Sequence, residues 1–134
     1  MLELKNVTKS FGGFKALDDL TMTIPTGSVY GLVGPNGAGK STAIRVMTGV
    51  YRPDSGSAII DGQPVWENND IKARMSCIPD EIFYFPSATM EEMKSFYKGI
   101  YPQFDEQLYG KLFEVFQLPR KGSIRRFSKG MQKQ

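Results

Sequence analysis

Gly34-Pro35-Asn36-Gly37-Ala38-Gly39-Lys40-Ser41-Thr42 decides how the rest of this chain is read. Its fixed places follow G-x-x-x-x-G-K-[ST], the spacing of a phosphate-binding loop. Gly34, Gly37 and Gly39 let the backbone take positive φ and approach a ligand closely, so that successive N–H groups line one anion-sized hollow. The ligand this chemistry suits is a polyphosphate. Lys40 brings an ammonium to its β- and γ-phosphates, and Ser41 offers a hydroxyl to a Mg²⁺ that bridges them. A helix beginning near Lys40 turns its positive end toward the same groups. Outward from the loop, residues 28–33 (Ser-Val-Tyr-Gly-Leu-Val) form a short, mostly apolar run expected as a strand. On the other side, Ala43, Ile44, Val46 and Met47 mark a helical stripe closed by Gly49. Strand, loop and helix is the order that phosphate binding requires.

The length of 134 residues fits one domain with an apolar core. No apolar run approaches the roughly 20 residues that span a bilayer, and Leu2-Glu3-Leu4 opens a strand pattern instead of a signal peptide, so the chain is expected in the cytoplasm. Cys77 is the single cysteine and lies in an apolar run, which excludes an internal disulfide and suggests a small core residue. The sequence has no histidine, which excludes a His-dependent triad or a His-ligated metal within it. Its net charge of +3 is uneven: Lys111, Arg120, Lys121, Arg125, Arg126, Lys129 and Lys133 face the single acid Glu114 in the last stretch. No stacking aromatics alternate with these charges, so they read as a solvated face and no nucleic-acid partner is expected.

Taken in order, Met1 to Phe11 reads as a strand, with Leu2 and Leu4 on one face and the polar Asn6, Thr8 and Ser10 on the other. Gly12-Gly13 turns it into a second strand from about Lys15 to Ile24, and Pro25-Thr26-Gly27 turns again into the run before the loop. Tyr51 to Gly56 is a turn cluster, followed by a strand from Ser57 to Ile60 that Asp61-Gly62 closes as a hairpin. Asn68 or Asn69 caps a short helix through Arg74, and Met75 to Ile78 is expected as a buried strand ended by Pro79. From Asp80 onward strand patterning gives way to helical and aromatic sequence. Thr89-Met90-Glu91-Glu92 has the form of a capping box, and Met90, Met93, Tyr97, Ile100 and Tyr101 recur at helical spacing. A second helix carries Phe104, Leu108, Leu112, Val115 and Phe116 and ends at Leu118-Pro119. The division expected is a nucleotide-binding core with an antiparallel β part over 1–84, a helical part over 85–127, and the start of a further helix over 128–134.

With Phe127-Ser128-Lys129-Gly130-Met131-Gln132 the order of features resembles the nucleotide-binding domain of an ABC transporter, this segment standing where that family has its signature motif. The resemblance covers the whole chain: the antiparallel strands, GPNGAGKST, the SGSAIIDG hairpin, the run into Pro79, the helical part and the signature. It implies an α/β fold, a P-loop NTPase core with an N-terminal antiparallel β subdomain and an inserted helical subdomain, here truncated. The segments IPDE, YPQFDE and FSKGM are similar to ATP-binding subunits of exporter-type systems. On this resemblance the nucleotide is held by Phe11 stacking on adenine, by Ala16 beside it, and by Gly34, Pro35, Asn36, Gly37, Ala38, Gly39, Lys40, Ser41 and Thr42. Ser128, Lys129 and Gly130 face the γ-phosphate held by a second subunit, in a homo- or heterodimer that sandwiches two ATP molecules. Ser41 and Asp80 are the metal candidates. Phe83, Tyr84, Phe85 and Pro86 lie where the family meets a membrane subunit, which would hold the chain at the inner face of the cell membrane.

Three departures from the family pattern bear on chemistry. Asp80 stands where a glutamine is common; Lys129 replaces a glycine and Met131 a glutamine in the signature; and the family's second acidic motif and switch histidine find no counterpart in these 134 residues. Phosphoryl transfer to water needs a positioned nucleotide, neutralised charge and an oriented water. The expectation is therefore a chain that binds ATP with Mg²⁺ but carries no catalytic residue of its own and hydrolyses poorly. Other classes weighed are a soluble ABC ATPase of translation or DNA repair, a small-molecule P-loop kinase, and a binding module without catalysis.

Overall fold

Gly12 and Gly13 stand at φ 53° and 85°, the pair of positive angles that a tight two-residue hairpin turn demands. They join strand β1 (Leu2–Phe11) to β2 (Phe14–Ile24) in an antiparallel pair. This is a computed structural model, and it describes residues 1–79, 83–119 and 121–132. The other edge of β1 pairs antiparallel with β3 (Ser55–Ile60), which Asp61-Gly62 turns into the short β4 (Gln63–Pro64), giving the sheet order β2-β1-β3-β4. The chain divides into two units, Met1–Cys77 and Ile78–Gln134.

β1 is not uniform. Asn6 stands at φ 49°, and the register shifts between Leu4 and Val7 toward β2 and between Lys5 and Thr8 toward β3. An added residue resets the two-residue alternation of a strand, so Val7 joins Leu4 in the core, both wholly buried. The expected separation of Leu2 and Leu4 from Asn6, Thr8 and Ser10 needs such a bulge, because strict alternation keeps even-numbered positions together. Local bonds hold it: the Asn6 amide side chain donates to Asp19 at 2.9 Å, and its backbone N–H to Thr21 Oγ1 at 3.0 Å. Gly56 passes so close to the bulge that a Cβ there would lie 2.3 Å from the carbonyl oxygens of Lys5 and Asn6.

Two helices complete this unit: α1 (Lys40–Met47) and α2 (Asn69–Ala73). Ala43, Val46 and Met47 of α1 join Leu4, Val7, Leu17, Ala58, Val65 and Ile71 in one core. Asn68 caps α2 by accepting from the Ile71 N–H at 3.1 Å.

Two expected strands do not form. Residues 28–33 and 75–79 run without strand pairing, and apart from Met75, which packs on the core, their apolar side chains face out: Val33 is 95% exposed and Ile78 86%. Cys77, expected in the core, is exposed. Apolar composition makes a segment suitable for a sheet, but a strand exists only where a neighbour supplies the ladder. Among the described residues none does so here.

The second unit holds α3 (Met90–Ile100), α4 (Glu106–Phe116), a 3₁₀ turn at Ile124–Arg126 and the short α5 (Lys129–Gln132). Thr89 and Glu92 form the full capping box: Glu92 N–H donates to Thr89 Oγ1 at 3.3 Å, and the Thr89 N–H donates to the Glu92 carboxylate at 2.7 Å. These bonds to Thr89 hold the Glu92 carboxyl below the ordinary glutamate range. Asp105 caps α4 through the Leu108 N–H at 2.8 Å. Ala88, Met93 and Ile124 form the buried centre, with Tyr84, Met90, Phe96 and Phe127 packed around it.

Candidate functional site

The loop between residues 34 and 42 owes its shape to two left-handed glycines. Gly37 stands at φ 84°, and Gly39, at φ 83°, is the residue before α1. Gly39 has a second reason to lack a side chain, since a Cβ there would meet the Ala16 carbonyl oxygen at 2.3 Å and Leu17 at 3.1 Å. The loop is thus seated on the backbone of β2 at Ala16, which is half-buried beside it. Inside the loop, the Ala38 N–H donates to the Pro35 carbonyl at 3.2 Å, and Ala43 N–H to that of Gly39 at 2.8 Å. The Lys40 ammonium folds back over the loop and donates to the carbonyls of Gly34 and Pro35, each at 2.7 Å.

No protein acceptor among the described residues pairs with the N–H groups of Gly37, Gly39, Lys40, Ser41 and Thr42. Five unpaired donors around one ammonium, at the positive end of a helix, form a site for an anion of several oxygens. Ser41 is exposed on the first turn of α1, where its hydroxyl is open to a cation beside that anion. A triphosphate with Mg²⁺ fits this donor set. Asp80, the other metal candidate, lies outside the described residues, and among those described there is no cluster of three or more His, Cys, Asp or Glu side chains.

Phe11 ends β1 with 43% of its surface exposed, so its ring is not a hairpin core residue. Tyr51 meets it edge to face with ring centroids 5.3 Å apart, and the Lys9 ammonium lies 5.5 Å from its centroid. Asp54 holds this end of the strand from the other side. Its carboxylate accepts from Lys9 Nζ and from the Ser10 N–H, both at 2.7 Å, and these bonds, Lys9 first, keep the Asp54 carboxyl below the ordinary range. Sequence reasoning placed Tyr51 and Asp54 in a turn cluster and gave them no part in the site. The signal available was an aromatic residue inside a polar turn.

In the second unit, Ser128 precedes α5 and its hydroxyl accepts from the Met131 N–H at 3.2 Å. Ser128, Lys129 and Gly130 are exposed, and a Cβ on Gly130 would have the Ser128 hydroxyl 3.9 Å away. Gln132 fixes the turn before them by donating from Nε2 to the carbonyls of Ile124 at 3.2 Å and Phe127 at 3.1 Å. A cavity of about 240 Å³ beside this turn is lined by Phe83, Tyr84, Met93, Tyr97, Ile124 and Phe127 among others.

The family model described as ABC transporter matches residues 17–134. The chain belongs to the ABC transporter ATP-binding family. A solved structure described as the ATP binding subunit of an ABC transporter superposes with a TM-score of 0.84 at 27% identity, over 99% of this chain and 58% of that one. Among curated relatives, the ABC transporter ATP-binding protein YtrB of Bacillus subtilis is 29% identical over the whole chain and 46% of its own length. The SkfA peptide export ATP-binding protein SkfE of the same organism is 34% identical over 86% of this chain and 49% of its own. The ribose import ATP-binding protein RbsA of Pseudomonas putida is 55% identical over 48% of this chain and 12% of its own length. The chain therefore spans about half the length of YtrB and SkfE. Members of this ABC ATP-binding family are ATPases, and the fold is the α/β P-loop NTPase arrangement expected, its described strands all in the antiparallel part. Among the described residues no helix is long and apolar enough to cross a membrane.

Proposed function

We propose that this chain binds Mg-ATP through its phosphate loop and belongs to a transporter subunit that couples ATP to movement of a substrate through a separate membrane subunit at the inner face of the cell membrane. The observation that carries this reading is the set of N–H donors at Gly37, Gly39, Lys40, Ser41 and Thr42 without a protein acceptor among the described residues, in the loop over which the Lys40 ammonium folds. Phosphates displace the Gly34 and Pro35 carbonyls as the partners of the Lys40 ammonium, Ser41 presents its hydroxyl to Mg²⁺, Phe11 takes the base on its open face, and Ala16 flanks it. Asp80 is proposed as the second metal-side residue on sequence grounds alone. The Ser128-Lys129-Gly130 segment serves the nucleotide of a second subunit, and the aromatic cluster at Phe83 and Phe85 receives the membrane subunit. Export is the direction proposed: SkfE, whose name says export, is similar over 86% of the chain, whereas the named importers RbsA and AraG match 48% and 68% of it.

The 134-residue chain by itself is proposed to bind without efficient turnover, because the family's second acidic motif and switch histidine, which would orient the attacking water, find no counterpart in its sequence. Titration of the chain with ATP and Mg²⁺ tests the first part. Lys40→Ala is expected to weaken binding about 10- to 100-fold, the range for losing a charge-assisted contact. Equal affinity in the variant overturns the phosphate-loop reading, and turnover that Lys40→Ala abolishes overturns the binding-only reading of the isolated chain.

A further inference from the structure

The base platform and the phosphate helix are tied together by one side chain. Tyr51 packs on the core of the first unit and presses its ring against Phe11 at 5.3 Å, while its hydroxyl accepts from Arg45 Nη1 on α1 at 3.1 Å. The Arg45 guanidinium also lies 5.5 Å from the Tyr51 ring centroid. The backbone makes the same connection, since the N–H groups of Val50 and Tyr51 both donate to the Arg45 carbonyl, at 2.8 and 3.0 Å. Three residues on, Asp54 clamps Lys9 and Ser10, and its own N–H donates to the Thr8 carbonyl at 2.8 Å. The segment that leaves the phosphate helix therefore straps down the last residues of β1.

An exposed ring at the end of a hairpin has two free torsions, and stacking on a base requires them fixed. Tyr51 is the ring packed against Phe11, with the Lys9 ammonium 5.5 Å from the Phe11 centroid. We propose that Tyr51 is a positioning residue for the nucleotide base: it orients Phe11 and sets its distance from the phosphate loop through Arg45. This rests on the reading of Phe11 as the base platform. It makes the role of Tyr51 specific to the base half of the ligand and leaves the phosphate half untouched.

The test compares ATP with inorganic tripolyphosphate, which engages the loop and has no base. Tyr51→Leu keeps apolar bulk against the core and removes the ring; Tyr51→Phe keeps the ring. Tyr51→Leu is expected to weaken ATP about three- to tenfold, the range of an aromatic pair, with tripolyphosphate affinity unchanged, and Tyr51→Phe, which keeps the ring and loses only the hydroxyl's bond to Arg45, to lose less than Tyr51→Leu. Phe11→Ala is expected to lose a similar factor, and the double variant no more than Phe11→Ala alone. Equal losses for both ligands, additive losses in the double variant, or a loss with Phe11→Ala but none with Tyr51→Leu overturns the positioning role. No loss of ATP affinity with Phe11→Ala overturns the base-platform reading itself, and the proposal with it.

Discussion

The phosphate loop and the apolar run that leads into it are adjacent in sequence and fold by different rules. The loop takes its shape from bonds and angles within a few residues: left-handed Gly37 and Gly39, the Ala38 to Pro35 turn, the first turn of α1. The run 28–33 has no such internal means. Its peptide groups can be satisfied in a sheet only by a neighbour, and none of the described residues supplies one. The bulge of β1 lies between these cases, local in its cause at Asn6 but dependent on β2 and β3 for its bonds.

The largest expected effect comes where local geometry and non-local packing meet. Gly56→Val must hold φ 77° with a branched side chain and place its Cβ against the carbonyls of Lys5 and Asn6. A loss of about 4 kcal/mol or more is expected from strain and backbone displacement together. The urea midpoint of the variant measures it, and a loss under about 1 kcal/mol would mean that the β1 bulge yields to β3 instead of fixing its path.

Next is Val7→Ala. Val7 is wholly buried and reaches the core because the bulge turns it there. Removing two methyl groups is expected to cost about 2 kcal/mol. A negligible loss would show that strict alternation, with Val7 outward, describes the strand better.

Thr89→Ala probes a purely local device in the second unit. It removes the acceptor for the Glu92 N–H, and about 1 kcal/mol is expected in the unfolding of that unit. The Glu92 carboxyl is held below its ordinary range by Thr89, so its contribution is present above the unfolded value and is lost as pH falls through the folded one. The backbone bond from the Thr89 N–H, the larger cause, persists in Thr89→Ala, so the difference between the two proteins should narrow below about pH 4 only by the share of the Thr89 hydroxyl, which donates to the same carboxylate at 3.0 Å. A gap that is constant between pH 3 and 7, roughly the span over which carboxylates titrate, would mean that the Thr89 hydroxyl does not hold the Glu92 carboxylate, since the bond from the Thr89 N–H is common to both proteins.

The same division explains what the sequence discloses. Gly12-Gly13, Asp61-Gly62, Asn68, and Thr89 with Glu92 were legible because each acts within four residues through angle or donor chemistry. So was the loop, whose glycines and Lys40 carry their reasons in their types. The strand states of 28–33 and 75–78 and the burial of Cys77 were not legible, since composition reports suitability for a sheet and not the presence of a partner. The seat of Gly39 on Ala16 and the hold of Tyr51 on Phe11 were hidden for a related reason. Each joins residues more than 20 positions apart, and neither side shows a pattern that names the other.

The smallest expected effect is the sharpest test of the comparison. Val33→Ser places a polar residue in the same apolar run that precedes the loop, at a position 95% exposed. A side chain already in water loses no burial on becoming polar, so the change in stability should stay within about 0.5 kcal/mol. Tripolyphosphate affinity should be unchanged, because the loop is shaped by Gly37, Gly39 and its seat on Ala16 and not by the segment before it. Measured beside Val7→Ala, it separates a valine held in a ladder from one that is not. If Val33→Ser costs as much as Val7→Ala, the run is paired in solution, with a second copy of the chain as the available source of a strand. A loss that then grows with dilution identifies that copy, since a shared strand is held by mass action.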